Sequence, residues 1–259
     1  MGSRLNKLRS LLYWLVAGSP SAAGSGGSSP AIAGRREASG EGGSAGSGRL
    51  LAISVLGVVA FSVLSFLILD RPLAYACSGL GRGIRGFFRF VTTFGLSGWY
   101  LVPSLLLFIF FRFRSRNPAR AGQALFVFLA VSLSGIVVDI LKFILGRYRP
   151  AMLFHEDLYG FAFFRTDALA TSFPSGHAAV ITALALSLDA IWPRFRVLYV
   201  LAALLIIASR VVTCAHFLSD VAAGAYLAVI MTLAVKRFFE ESGIDLRYGG
   251  SSAGLSTGL

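Results

Sequence analysis

Apolar residues in this chain fall into long unbroken blocks. They show neither the alternation of strands nor the one-sided stripe of a soluble helix. From Leu51 onward six blocks can be read, at about 51–69, 97–112, 122–145, 176–192, 196–213 and 217–236. Each approaches the roughly 20 helical residues needed to cross the hydrocarbon core of a bilayer. The segment 79–93 is too short and too basic to cross. As a helix it sets Arg82, Arg85 and Arg89 on one face and Ile84, Phe87, Phe88 and Val91 on the other, the pattern of a helix lying in the headgroup region. The expected fold is all-α: an integral membrane bundle of six transmembrane helices with one interfacial amphipathic helix.

The flanks differ in character. Residues 1–17 carry Arg4, Lys7 and Arg9 ahead of a short apolar stretch from Leu11 to Ala17, and read as a basic, apolar interfacial segment. A cleaved signal peptide would use the same features, with Ala22 and Ala23 near the cut, but Tyr13 and Trp14 suit an interface better. Residues 18–49, rich in Gly, Ser and Ala, have little to bury and read as a disordered linker. The membrane domain is expected over 50–237 and a flexible cytoplasmic tail over 238–259.

Composition agrees with a lipid environment. Of 259 residues, 56% are hydrophobic and 14% charged, more apolar matter than a soluble interior of this size can hold. The net charge of +12 raises the question of nucleic acid, but no recognition module is visible. The basic residues sit mostly between the apolar blocks. Most fall on one side if both termini are cytoplasmic, as the positive-inside rule asks, and a cleaved leader would invert that balance. Two cysteines, Cys77 and Cys214, make no disulfide framework or Cys-rich zinc site. A single bridge or two apolar thiols remain open.

Three segments put expensive polar groups at the ends of apolar blocks, where such groups usually mark a site. Lys142-Phe-Ile-Leu-Gly-Arg147-Tyr-Arg149-Pro150 ends the third block. A lysine and an arginine there can approach one phosphate as point charge and planar fork, although a snorkelling basic cluster fits the same residues. Ser172-Phe-Pro-Ser175-Gly176-His177 opens the fourth block. A helix N-terminus with a serine, a glycine whose N–H can be approached closely and a titratable imidazole makes an anion site, or simply a capped helix with a surface histidine. Ser209-Arg210, His216 and Asp220 follow. His216 and Asp220 are four apart, one helical turn, so the carboxylate can fix the imidazole tautomer and leave the other nitrogen free to attack.

In order and spacing these segments match Lys-x6-Arg-Pro, Pro-Ser-Gly-His and Ser-Arg-x5-His-x3-Asp. The chain therefore resembles the type-2 phosphatidic acid phosphatase (PAP2) superfamily over most of 51–237. One departure is Cys214, where many members carry glycine. The resemblance implies a bacterial membrane lipid phosphatase that uses no cofactor and no metal. His216 would be the nucleophile, Asp220 its orienting carboxylate and His177 the general acid and base. Lys142, Arg149, Ser175, Gly176 and Arg210 would hold the phosphoryl oxygens. It also implies a lipid phosphate substrate. The charge-based topology puts the motifs on the outer face, and the excess of arginine over lysine points to a bacterial inner membrane. There undecaprenyl diphosphate, phosphatidylglycerol phosphate, phosphatidic acid and lipid A 1-phosphate are all suitable. Phosphoryl transfer to a second lipid would use the same residues, and a non-catalytic lipid-binding protein is the remaining alternative. Oligomeric state is not legible. His155 reads as a solvated loop residue. Asp139 and Arg147 receive no role.

Overall fold

The computed structural model describes residues 2–17 and 41–248, and among these the protein is helical, with one isolated bridge between Arg147 and Phe161 in place of any sheet. Helix α1 spans Gly2–Ala17. Helix α2, Glu41–Leu64, passes through a π-helical turn at Ser65–Leu69 into α3, Asp70–Ser78. The amphipathic α4, Arg82–Thr92, ends in a tight turn and bends at Leu96, whose backbone is extended, into α5, Gly98–Ile109. Helix α6 covers Pro118–Leu145, α7 Pro150–Glu156, α8 Gly176–Ile191, α9 Arg196–Val212 and α10 Leu218–Glu241.

The runs Gly48–Ser78, Arg82–Arg114, Pro118–Leu145, Pro193–Val212 and Leu218–Glu241 are long and apolar enough to cross a membrane, so the protein is a multi-pass membrane protein. The sixth expected block, α8, is an apolar helix of 16 residues, shorter than the other five.

Local chemistry sets the helix ends that matter. The Asn117 side chain accepts the Arg120 N–H at 3.0 Å and Pro118 occupies the first turn, which starts α6. Gly146 stops it in a left-handed conformation, φ 49°, hard against the backbone of Phe163, where a side chain has neither space nor favoured geometry. Arg149 precedes Pro150, which opens α7. The loop after α7 folds back on the motif, with Tyr148 N–H on Gly160 O at 3.1 Å, Arg149 N–H on Leu169 O at 2.8 Å and Ser172 N–H on Arg147 O at 2.8 Å.

Helices α8 and α10 meet through small residues, Ala179, Ala183, Ala228 and Gly224, which let two backbones approach where lipid gives no hydrophobic drive. At the opposite end from the motifs, Leu12 and Val16 of α1 share a buried cluster with Phe108, Phe126, Ile191 and Phe239.

Three expected boundaries change. The first block does not end at Leu69: a π-turn carries the helix on through Asp70 to Ser78, and Asp70 turns inward and is buried. Residues 41–49, expected as linker, are the first turns of α2, while 18–40 lie outside the described residues. The expected tail is packed as far as it is described, because Ile244 and Leu246 are apolar and enter the α1 cluster, and Gln123 Nε2 donates to Leu246 O at 3.1 Å. Residues 249–259 lie outside the described part. Cys77 and Cys214 are free thiols.

Candidate active site

The three segments converge at one end of the bundle, on the last turn of α6, the N-terminus of α8, the last turn of α9 and the first turn of α10. Gly176 lies under the Lys142 ammonium: a Cβ built on it would stand 3.2 Å from Nζ. The Ser175 N–H donates to Asp220 O at 2.9 Å, which ties the α8 start to the α10 start. The Ser175 carbonyl in turn rests directly on Gly224 of α10. His177 lies in the field of Arg210, Lys142 and Arg149, and its ring packs against the bare backbone of Gly95 at the bend before α5. Arg210 is anchored by donating to Thr92 Oγ1 at 2.6 Å. A cavity of about 340 Å³ between the α4–α5 bend, α6 and α8 has Lys142, Gly176 and His177 in its wall. Ser175 Oγ, Arg149 Nε and Arg210 Nε are buried and have no partner among the described residues.

Eight residues singled out from the sequence therefore lie together: Lys142, Arg149, Ser175, Gly176, His177, Arg210, His216 and Asp220. The pairing of His216 with Asp220 is less direct than the one-turn spacing implies. Nδ1 and the nearest carboxylate oxygen, Oδ2, are 3.6 Å apart, too far for a good hydrogen bond. Ser172 fills the gap. Its hydroxyl donates to Asp220 Oδ2 at 2.6 Å and stands 3.3 Å from Nδ1, where it accepts the imidazole N–H. That assignment leaves Nε2 without a proton. Asp220 Oδ2 also accepts the Phe217 N–H at 2.9 Å at the start of α10. Burial pushes His216 down to about 4, partly offset by Asp220, so the ring is neutral at physiological pH.

Behind Asp220 lies a set of groups to which the sequence motifs assign no role. Arg147 is wholly buried. Nη1 donates to Asp220 Oδ1 and, at 2.6 Å, to Ser219 Oγ, while Nη2 donates to Asp70 Oδ2 at 2.8 Å and to Tyr159 Oη at 3.2 Å. Its guanidinium lies 4.5 Å from the Phe217 ring centroid and 4.9 Å from that of Phe66. Burial works against its charge, but Asp220 and Asp70 outweigh burial and hold it cationic. Arg149, two residues on, faces the site instead, and burial pulls it down against the support of Asp220. His155 is exposed on α7. Asp139, 3.2 Å from Lys142, is also largely exposed.

Residues 123–244 match the model of the PAP2 superfamily. Lipid A 1-phosphatase of Rhizobium johnstonii is 31% identical over 192 residues, 70% of this chain and 78% of that protein. Lipid A 1-phosphatase of Rhizobium etli is 32% identical over 171 residues, 62% of this chain and 73% of that protein. Among solved structures, Aquifex aeolicus LpxE superposes with a TM-score of 0.50 at 25% identity, covering 65% of this chain and 95% of that one. With its helical membrane architecture and this set of polar groups at one end, the chain belongs to the PAP2 superfamily.

Proposed function

We propose that the protein is a phosphatase of lipid phosphates that works through a phosphohistidine on His216. The observation that carries this reading is the convergence of three cations, Lys142, Arg149 and Arg210, with a helix N-terminus on one small volume beside an imidazole whose Nε2 is free. Nε2 of His216 attacks phosphorus and the bond from phosphorus to the lipid oxygen breaks. His177, protonated once the negative phosphate offsets the surrounding cations, gives that oxygen its proton. Water then attacks the phosphorus, His177 takes a proton from it, and the P–N bond breaks to release phosphate. Lys142, Arg149, Arg210, Ser175 and the Gly176 N–H hold the equatorial oxygens and stabilise the charge that builds on them. This cationic set supplies the stabilisation that a metal ion gives in other phosphatases, so turnover is expected to be metal-independent.

The cytoplasmic termini and outward-facing site rest on the distribution of basic residues, the inner-membrane location on the excess of arginine over lysine, and all belong to the same proposal. Lipid A 1-phosphate leads the substrate order because the relatives in both Rhizobium species carry that activity in their names. Undecaprenyl diphosphate, phosphatidylglycerol phosphate and phosphatidic acid follow. The test is phosphate release from these four lipids in detergent with EDTA, by wild type and His216→Ala. Release by wild type and none by the variant is expected. Release surviving in His216→Ala would overturn the nucleophile, and none from any lipid would favour transfer to a second lipid.

A further inference from the structure

We propose that Asp70 is a positioning residue for His216, acting through Arg147 and Asp220; this rests on His216 being the nucleophile. Asp70 lies outside the 123–244 region matched by the family model, on a helix that begins far earlier in the chain. It is nonetheless buried beside the catalytic layer. Four donors converge on its carboxylate: Ser65 Oγ at 2.7 Å, Arg147 Nη2 at 2.8 Å, Ser219 N at 3.1 Å and the Ser219 hydroxyl. That is more than a helix start requires.

What matters is how Arg147 divides its fork. A guanidinium beside one carboxylate prefers to bind both its oxygens at once. Here Nη2 is held by Asp70, so only Nη1 reaches Asp220, and it reaches Oδ1 alone. Oδ2 stays available to Ser172 and to the Phe217 N–H, and it is Ser172 that meets His216 Nδ1. One cation shared between two carboxylates also leaves a net negative charge behind the imidazole, which supports the positive charge it gains during attack. The groups on the other side of His216, Arg149, Arg210 and His177, carry no such support. Without Asp70, both arms of Arg147 close on Asp220, Oδ2 is drawn from Ser172, and Nδ1 loses the acceptor that fixes its tautomer.

The chain has three histidines, so 15N-histidine NMR of the full-length protein in detergent resolves them. Asp70→Asn is expected to lower kcat about tenfold with KM little changed, far short of the roughly 10⁴-fold loss when a triad's own carboxylate is neutralised. An Nε2–H tautomer of His216 should appear in its spectrum. In an Asp220→Asn background, Asp70→Asn should cost nothing further. Arg147→Lys, which keeps the charge but cannot bridge two carboxylates, should show the same tautomer change and serves if Asp70→Asn does not fold. An unchanged tautomer in either variant overturns the proposal, as does an equal loss of kcat in both backgrounds, the mark of a purely structural role. The NMR readout needs no lipid. A tautomer that responds in a protein releasing no lipid phosphate would sink the phosphatase reading alone. Release that depends on His216 but ignores Asp70 would sink the relay alone.

Discussion

Gly224→Ala tests whether the site is assembled by the seam between α8 and α10. Two effects oppose each other. In a helix interior alanine is favoured over glycine by about 1 kcal/mol, so propensity alone makes the variant more stable. Against this, the new Cβ stands 3.1 Å from both Ser175 C and Ser175 N and closer still to Ser175 O. These are backbone atoms that no rotamer change can move. Ordinary contact needs about 1 Å more at the oxygen, so the α8 start and the α10 start must part by roughly that amount. The hydrogen bond from Ser175 N–H to Asp220 O spans the same seam and must stretch with it. Ser175, Gly176 and His177 then move as a block away from His216. A misplacement of about 1 Å costs on the order of 10²-fold in rate. The assay is kcat for phosphate release from the preferred lipid, with thermal unfolding in the same detergent. Gly122→Ala is the control, because its Cβ meets only the side chains of Ile244 and Val16, far from the site, which can give way. A fall of about 10²-fold in Gly224→Ala with near-normal kcat in Gly122→Ala is expected. Wild-type kcat in Gly224→Ala would refute the argument that this glycine sets the spacing.

Other predictions concern single groups. His216, lowered to about 4 from an ordinary 6.5, should stay neutral and competent through pH 5; because its folded value lies below the unfolded one, this residue's contribution to stability is lost as pH falls from about 6.5 towards 4. An imidazole 15N titration near 6.5 would contradict this. Asp139→Asn removes an exposed partner of Lys142 worth at most about 1 kcal/mol, so KM should fall by no more than about fivefold, and a tenfold loss of activity would show a role for Asp139 in the chemistry. Cys214 has φ 53°, the left-handed region that glycine enters freely. Cys214→Gly should therefore leave kcat and unfolding temperature nearly unchanged, whereas the β-branched Cys214→Val should lose about 1–2 kcal/mol of stability, read by thermal unfolding.

The apolar blocks and the eight motif residues were legible because both are written locally, as runs of hydrophobic residues and as fixed spacings within one helix end. The departure at Cys214 was legible too, though its left-handed backbone was not. Ser172 stood inside a motif segment without a role, because its bridge to His216 joins residues 44 positions apart, with α8 and α9 between them. Asp70 and Arg147 were hidden for a different reason. Their meaning lies in each other, across 77 positions, and Asp70 with Arg71 and Pro72 looks like the polar end of a membrane span. Just past the π-turn at Ser65–Leu69 that aspartate is buried. The tail's packing was unreadable because two apolar residues, Ile244 and Leu246, are too few to make a pattern.

Helix α8 joins the layer of the catalytic groups at Ser175 to the opposite cluster at Ile191 in 16 residues, about 24 Å at 1.5 Å per residue. A hydrocarbon core is about 30 Å thick. No residue of α8 is fully exposed, because α6, α9 and α10 enclose it, so its short length is not a mismatch that acyl chains must meet. Its start can instead lie several ångströms below the level reached by its longer neighbours. On the proposed function, a lipid phosphate then reaches His216 by sinking between the helices rather than by leaving the leaflet.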